Sequence, residues 1–284
     1  MSGWPSLLTA LWPAARKRSP LALAEAQPRF RGTCTVCGNV GEFVRNHDSV
    51  REGFRCARCE APLRGQAQAS AILSLFAPGC AANIRELVTR PGFSEISLYE
   101  PGVTGPFRRR WADKCKYVSS FFWPDVALGE CRDGIRCENL ECLTFDDESF
   151  DLVITSDIFE HVRKPMAGFA EVARVLKPGG AHVFSVPAGL PLRAATFYRV
   201  DTSGPEDVHL VEPRYHGDGA GGRSLVYTDF GEDLIPELSR LGMDTEVHVY
   251  RPSPELDLAA VTFISRKRAD AAAPAARVFE GVRR

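Results

Sequence analysis

The fold is decided by residues 150–186, which read FDLVITSDIFEHVRKPMAGFAEVARVLKPGGAHVFSV. The runs Leu152–Thr155 and His182–Val186 are short, apolar and rich in β-branched or aromatic residues, so both predict buried strands. Between them, Pro165–Leu176 has the apolar spacing of a helix, and Lys177–Gly180 forms a turn from helix to strand. A strand, a crossover helix and a second strand are the unit of a parallel sheet.

The same alternation continues on both sides of this unit. It predicts an α/β domain with a Rossmann-like, mostly parallel sheet and helices on both faces. Further strands are expected near Ile96–Tyr99, Tyr117–Ser119, Glu246–Tyr250 and Val261–Ser265, and further helices near Phe107–Asp113 and Phe230–Leu241.

Composition places the chain among ordinary globular proteins. Its 284 residues are 44% hydrophobic and 25% charged, enough for one large core and a small additional module. The formal net charge of -1 provides no overall positive field, so a small-molecule substrate is expected rather than nucleic acid. No apolar run approaches the roughly 20 residues of a membrane-spanning helix and no signal-peptide pattern opens the chain, which predicts a cytoplasmic protein. No feature of the sequence marks an oligomeric state.

Four of the nine cysteines form two close pairs, Cys34-Thr-Val-Cys37 and Cys56-Ala-Arg-Cys59. Eighteen residues separate the pairs, a spacing at which two pairs of thiolates meet around one tetrahedral Zn²⁺. Such a site has no open position, so its zinc is expected to be structural. The predicted organisation is an N-terminal tail (1–31), a zinc-binding module (32–62), a helical connector (63–92) broken at Pro78-Gly79, the main α/β domain (93–268) and a flexible C-terminal tail (269–284).

The N-terminal tail carries apolar residues at helical spacing ahead of three basic residues. Pro13 limits any helix there to about two turns. A loose tail is the expectation, and contact with a membrane surface or a partner is the alternative. The apolar residues are Trp4, Leu7, Leu8, Leu11 and Trp12, and the basic ones are Arg16, Lys17 and Arg18.

An acid and a glycine turn follow the first strand of the main domain, in the stretch Ser97-Leu-Tyr-Glu100-Pro-Gly102-Val-Thr-Gly105-Pro. Glycine allows the backbone to approach a ligand closely, and a carboxylate at a strand end accepts hydrogen bonds. A nicotinamide-binding fold places its glycines directly after the first strand and its acid about 20 residues later. Because Glu100 precedes the glycines, a nicotinamide-dependent oxidoreductase is disfavoured.

The order of motifs from Ile96 to Pro187 closely resembles the class I S-adenosylmethionine-dependent methyltransferases of the type 11 kind. The resemblance rests on Glu138-Asn139-Leu140, on the stretch from Leu143 through His161, and on Glu171–Gly180. Arg214–Asp218 and Leu225–Gly231 look like a branch of that family that also carries an N-terminal four-cysteine motif.

The resemblance implies S-adenosylmethionine as the methyl donor and assigns residues to it. Glu100 would contact the amino acid part of the cofactor, with Gly102 and Gly105 in the turn beside it. Asn139 and Leu140 would lie at the adenine. Thr155, Ser156 and Asp157 end the fourth strand, at the edge of the sheet where open α/β folds place ligands.

Two departures from the family pattern concern the cofactor. The usual alternating glycines are replaced by Gly102-Val-Thr-Gly105-Pro106, and Ser119–Trp123 stands where a ribose-binding acid is usual. Ser120 could bond a ribose hydroxyl instead, although a carboxylate makes the stronger bond. A second hypothesis therefore stands beside methyl transfer: a methyltransferase-like binding module without activity, acting through a protein or nucleic-acid partner.

Methyl transfer requires alignment of the acceptor and, for a hydroxyl, a base that removes its proton. His161 is the first candidate because its ordinary pKa leaves it largely neutral at pH 7, and bracing of the local helix is its alternative role. Asp157, Glu160 and His161 are also spaced so that they could hold Mg²⁺ or Zn²⁺ on one side of a helical turn. Asp157 and His216 complete the predicted catalytic set, with His209, Tyr215 and Asp218 as further candidates in a loop-rich region.

The leading hypothesis is thus methyl transfer from S-adenosylmethionine to a small-molecule or glycan-precursor acceptor. The region 189–223 should determine the acceptor, and its sequence contains no pattern that identifies one.

Overall fold

The computed structural model describes residues 27–217 and 221–269. The apolar N-terminal stretch with its proposed membrane or partner contact, the C-terminal tail beyond residue 269 and Asp218 lie outside the described residues. In the described part of the chain, no helix combines the length and apolar character needed to cross a membrane.

The described residues form α-helices and β-strands that follow one another along the chain. The α-helices are α1 (Leu63–Phe76), α2 (Ile84–Leu87), α3 (Arg108–Trp111), α4 (Pro165–Val175) and α5 (Leu234–Arg240). The strands are β1 (Arg29–Thr33), β2 (Val40–Val44), β3 (Ser97–Pro101), β4 (Lys116–Phe121), β5 (Cys131–Arg132), β6 (Ile135–Cys137), β7 (Phe150–Ser156), β8 (Leu176–Ser185), β9 (Phe197–Tyr198), β10 (Val200–Asp201), β11 (Val208–His209), β12 (Tyr215–Gly217), β13 (Arg223–Leu225), β14 (Thr228–Asp229), β15 (Met243–Tyr250) and β16 (Ala260–Lys267).

The central sheet contains eight strands in the order β15-β16-β8-β7-β3-β4-β6-β5. The five central strands, from β8 to β6 in that order, are parallel, while β16, β15 and β5 pair antiparallel to their neighbours. The chain leaves β3 toward β4 and β6, then returns to β7 on the other side of β3. The carboxyl ends of β3 and β7 therefore form a topological switch point, where open α/β sheets bind ligands.

All six strands predicted from the sequence are present in this sheet, which confirms the predicted fold class. The pleat sends successive residues to opposite faces, so that Leu98 and Leu152 join one core and Tyr99 and Val153 the other. The first core includes α1, and the second includes α4 and α5. Helices thus cover both faces, and this is why the central strands read as continuous apolar runs.

The cysteine segment shares its core with the main sheet. The hairpin β1–β2 contributes Phe30 and Phe43 to the same cluster that contains Leu98 and Leu152. The backbone of α2 also bonds the segment, since the Ile84 amide donates to the Thr35 carbonyl at 2.9 Å. The segments predicted as module and connector consequently pack as one layer against the α/β sheet.

Residues 189–217 and 221–232 form a cap at the carboxyl edge of the sheet. It consists of the two-stranded pairs β9–β14, β10–β11 and β12–β13. The Tyr227 amide donates to the Glu160 carbonyl at 2.7 Å, which fixes the cap to the turn that follows β7. The region without a recognisable sequence pattern therefore covers the ligand edge.

Candidate functional site

The candidate site lies where β3 and β7 end, and Glu100 is the buried acid at the end of β3. Glu100 is buried, and its Oε2 accepts hydrogen bonds from Trp111 Nε1 at 3.2 Å and from the Tyr117 hydroxyl at 3.1 Å. Burial raises the pKa of Glu100 to about 7, although both hydrogen bonds oppose the shift. The carboxyl group is thus held by two aromatic donors close to the glycine turn.

The glycine turn has a backbone conformation that requires glycine at two positions. Gly102 has φ +108° and Gly105 has φ +149°, and L side chains rarely adopt such angles. The Gly102 amide donates to the Ser120 carbonyl at 2.7 Å, which joins the turn to β4. A Cβ at Gly105 would lie 3.6 Å from Glu100 Oε1, so the turn keeps the approach to the carboxylate open.

Ser120 lies near the end of β4, as the sequence predicted, and Asn139 follows β6, a strand that the sequence did not indicate. The Ser120 hydroxyl is buried and bonds the Tyr99 hydroxyl at 2.7 Å, on the core side of the sheet. Asn139 Oδ1 accepts from the Glu141 amide at 3.0 Å, and Leu140 is buried in the second core. Because the Ser120 residue is 1% exposed and its hydroxyl is bonded to Tyr99, this hydroxyl is directed into the core rather than toward a ribose at the open edge.

Thr155 and Ser156 are bonded to α1, which the sequence did not predict. Gln68 Nε2 donates to the Thr155 carbonyl at 2.9 Å, and the Ser156 hydroxyl bonds Gln68 Oε1. The Thr155 hydroxyl bonds His182 Nε2 at 2.9 Å. Helix α1 therefore forms a wall of the site at the end of β7.

Asp157 is paired with two arginines from the N-terminal segment. Arg51 binds it through two hydrogen bonds of 2.9 and 2.7 Å, and Arg64 lies 3.5 Å from Oδ2. The Ser185 hydroxyl donates to Oδ1 at 2.8 Å. Burial would raise the pKa of Asp157, but the two guanidinium groups outweigh it and hold the pKa below its ordinary value. Asp157 is accordingly an ionised structural anchor, and both of its carboxylate oxygens have partners.

His161 and His216, the two predicted catalytic histidines, come together beside Glu160. Their rings lie 5.2 Å apart between centroids and are nearly perpendicular. Burial lowers the pKa of both histidines, so both are neutral at pH 7. Burial and the neighbouring Asp157 raise the pKa of Glu160 well above its ordinary value. His161 and His216 therefore have the protonation state that a general base requires.

Arg51 and Gln68 are the site residues that sequence reasoning missed. Arg51 is 106 residues from Asp157 in the chain, and Gln68 is 87 residues from Thr155. Neither residue belongs to a motif. Arg51 stands among other charged residues and Gln68 in an Ala-rich helix, and in both contexts a polar residue is normally expected at the protein surface. A buried polar residue in α1 becomes visible only when the helix is placed on the sheet.

The four predicted cysteines meet in a separate cluster. The Sγ atoms of Cys34 and Cys59 are 3.7 Å apart, those of Cys37 and Cys56 are 3.6 Å apart, and all four lie within 4.8 Å of one another. Zn–S bonds of about 2.3 Å in a tetrahedron place sulfurs about 3.8 Å apart, so the cluster fits zinc without rearrangement. The hydrogen bond between Cys34 and Cys59 lowers the pKa of the Cys59 thiol to about 5, a thiolate ready to bind a metal.

Comparison with known proteins finds similarity to one part of this site. Residues 123–184 match a family model described as a methyltransferase domain, a segment that includes the ends of β6 and β7 but not the glycine turn. Over 62 residues the chain is 36% identical to a ubiquinone biosynthesis O-methyltransferase of Parvibaculum lavamentivorans. This alignment covers 22% of the chain and 24% of that protein, so the chain spans about a quarter of the length of the curated relative it matches.

Two solved structures are also similar to the chain. An S-adenosylmethionine-dependent methyltransferase from Mesorhizobium loti has 20% identity and a TM-score of 0.40, over 64% of this chain and 95% of that one. The 1,6-didemethyltoxoflavin-N1-methyltransferase of Burkholderia thailandensis, determined with bound S-adenosylhomocysteine, has 11% identity and a TM-score of 0.36, over 65% of this chain and 76% of that one.

Replacement of Arg51 by alanine should destabilise the protein by about 3 kcal/mol, because the largely buried Asp157 carboxylate loses its bidentate partner and keeps only Arg64, at 3.5 Å, as a cation. Chemical denaturation measures the loss, and Arg58→Ala, an exposed arginine of the same segment, serves as the control. In a double-mutant cycle, Asp157→Asn should recover part of the loss. Equal stability of Arg51→Ala and Arg58→Ala would contradict the anchoring role.

The raised pKa of Glu100 predicts that stability falls as pH rises. The folded protein holds a proton that the unfolded chain releases between about pH 4.5 and 7, so ionisation opposes folding over this range. Without added ligand, Glu100→Gln should gain about 3 kcal/mol relative to the wild type at pH 8 and almost nothing at pH 4.5. Denaturation at both pH values measures this, with the exposed Glu130→Gln as a charge-matched control. A pH-independent difference would show that folding does not shift the pKa of Glu100.

Proposed function

We propose that the chain is an enzyme that transfers a methyl group from S-adenosylmethionine to a small-molecule or glycan-precursor acceptor. The match of residues 123–184 to a methyltransferase domain carries the proposal. It is supported by the position of these residues, because the ends of β6 and β7 lie at the same switch point as Glu100 and its glycine turn.

The residues at this edge are suited to the parts of such a cofactor. Glu100 and the open turn at Gly102 and Gly105 would hold its amino acid part, and Asn139 and Leu140 would lie at the adenine. Thr155 and Ser156 would contribute the end of strand β7, which Gln68 of α1 holds in place through its hydrogen bonds to both residues. S-adenosylmethionine, when bound, supplies a methyl group on a positively charged sulfur.

The cap would hold the acceptor, and His161 and His216 are the groups that face it. Because these two histidines are neutral, either can take the proton of an acceptor hydroxyl. The relative from Parvibaculum lavamentivorans is named an O-methyltransferase, which favours a hydroxyl acceptor here. Asp157 has its oxygens occupied and would position the end of β7 rather than move a proton.

We also propose that Cys34, Cys37, Cys56 and Cys59 bind one structural Zn²⁺. Three of the four thiols are buried, and the cluster has no open side for a substrate. The cysteine segment supplies Arg51 to the site, so zinc bound there would help to hold the site wall in place.

A methyltransferase-like binding module is the second candidate function. The observation that favours it is the Ser120 hydroxyl, which is buried and bonds Tyr99 in the core instead of facing the edge where a ribose would lie. A module of this kind would retain the fold and act through a protein or nucleic-acid partner.

Calorimetric titration with S-adenosylhomocysteine distinguishes the two functions, because this product binds without reacting. The methyltransferase should bind about one equivalent per chain. Gly102→Val should weaken binding about tenfold or more, because valine is strained at the positive φ of this turn. Gly204→Val is the control, since a Cβ at Gly204 meets nothing within 4 Å. Absence of binding by well-folded wild-type protein would reject methyl transfer in favour of the binding module.

Metal analysis of purified protein tests the structural zinc. Cys56→Ser should contain about one zinc less per chain than the wild type and should unfold at lower temperature, because the metal stabilises only the folded site. Cys131→Ser, an exposed cysteine outside the cluster, should retain both properties. Equal zinc content in the two variants would be incompatible with a four-cysteine zinc site.

A further inference from the structure

Glu160, His161 and His216 form a compact group outside the four-cysteine cluster. Glu160 and His161 belong to the single 3-10 turn Phe159–His161 after β7, and His216 comes from β12 of the cap. Glu160 Oε1 lies 3.7 Å from His161 Nε2 and 3.9 Å from His216 Nδ1. One ligand atom from each residue lies within 4.8 Å of the other two.

The Glu160 carboxylate is buried without a hydrogen-bonded cation. The residue is fully buried, and neither of its carboxylate oxygens has a hydrogen-bond partner. Burial of a carboxylate without partners costs several kcal/mol, so such groups are normally paired or bound to a metal. The nearby arginines Arg51 and Arg64 bond Asp157 and Glu52 instead.

His161 is oriented as a metal ligand is. Its Nδ1 donates to the Leu225 carbonyl at 2.8 Å, which leaves the Nε2 lone pair directed toward Glu160. Metal-binding histidines commonly donate their other ring N–H to a backbone carbonyl, which fixes the tautomer and the ring plane. The cap strand β13 ends at Leu225, so the cap supplies both this support and His216.

We propose that Glu160, His161 and His216 bind a divalent transition-metal ion of the Zn²⁺ class. Two imidazoles and one carboxylate suit zinc or iron, whereas Mg²⁺ prefers oxygen ligands. Bonds of about 2.0–2.1 Å in a tetrahedron place ligand atoms about 3.3 Å apart, and the three ligand atoms lie within 4.8 Å of one another, so each side chain must move by less than about 1 Å. Asp157, which the sequence grouped with Glu160 and His161, is not part of this set because Arg51 and Ser185 occupy its oxygens.

Three protein ligands leave at least one position open on the metal. The His216 side chain is 36% exposed, so the group is accessible from the side of the cap. Resting on the proposed function, the metal would bind the acceptor hydroxyl and lower its pKa, so that its proton passes to solvent on the exposed side of the cap. With the metal bound, His161 and His216 would act as ligands in place of the base role that they would have in the metal-free site. The metal site itself does not depend on that function.

Cobalt binding tests the site. Wild-type protein, loaded with one zinc at its four cysteines, is titrated with Co²⁺ while visible absorption is recorded. Saturation at about one Co²⁺ per chain is expected, without the thiolate charge-transfer bands that cobalt at the cysteines would give. Glu160→Gln, which keeps the shape of the side chain, and His216→Ala should each weaken binding roughly 100-fold or more. His209→Ala removes an exposed histidine of the same cap and should bind as the wild type does.

Two results would overturn the metal site: no saturable Co²⁺ binding by the wild type outside the cysteines, or unchanged binding by Glu160→Gln. Circular dichroism confirms that the variants are folded. Titration of the same samples with S-adenosylhomocysteine separates the two proposals. Cobalt binding without S-adenosylhomocysteine binding retains the metal site and rejects methyl transfer, and the converse retains methyl transfer alone.

Discussion

The bidentate ion pair between Arg51 and Asp157 is the interaction on which the candidate site depends. It joins the cysteine segment to the end of β7, where the chain leaves the sheet at its switch point. A carboxylate this deeply buried remains ionised only beside cations, and Arg51 and Arg64 both come from the N-terminal layer. The N-terminal layer is therefore a wall of the site as well as a support for the fold.

The position of the two arginines also explains why the pKa values of two neighbouring carboxyl groups shift in opposite directions. Asp157 and Glu160 are three residues apart, yet the guanidinium groups lower the pKa of Asp157 while burial raises that of Glu160. Environments that separate the pKa values of nearby acids are typical of functional sites, because each acid is then suited to a different task. Here Asp157 fixes the geometry of the strand end, and Glu160 faces two neutral histidines without a partner of its own.

Three parts of the molecule contribute to the site. The strand ends provide Glu100 and the glycine turn, the N-terminal layer provides Arg51 and Gln68, and the cap provides His216. Each part is fixed by contacts to β7 or to the turn after it, such as the bond from Gln68 to Thr155 and that from Tyr227 to the Glu160 carbonyl. The cap is built from two-stranded pairs rather than strands of the central sheet, so core packing constrains its sequence less.

The sequence by itself determined six of the eight strands of the central sheet, the helices of the main domain, the glycine turn and the cysteine cluster. These features have short-range signatures: apolar runs of strand length, glycines next to an acid, and two cysteine pairs at zinc spacing. The sequence did not indicate the short strands β5 and β6, and Lys177–Gly180, predicted as a turn, begins β8 instead. Only the tertiary structure decided that Arg51 pairs with Asp157, that Ser120 bonds Tyr99, and that His216 lies beside Glu160. The physical reason is that these contacts join residues up to 106 positions apart, and such contacts leave no periodic pattern in the sequence because they depend on how separate elements pack.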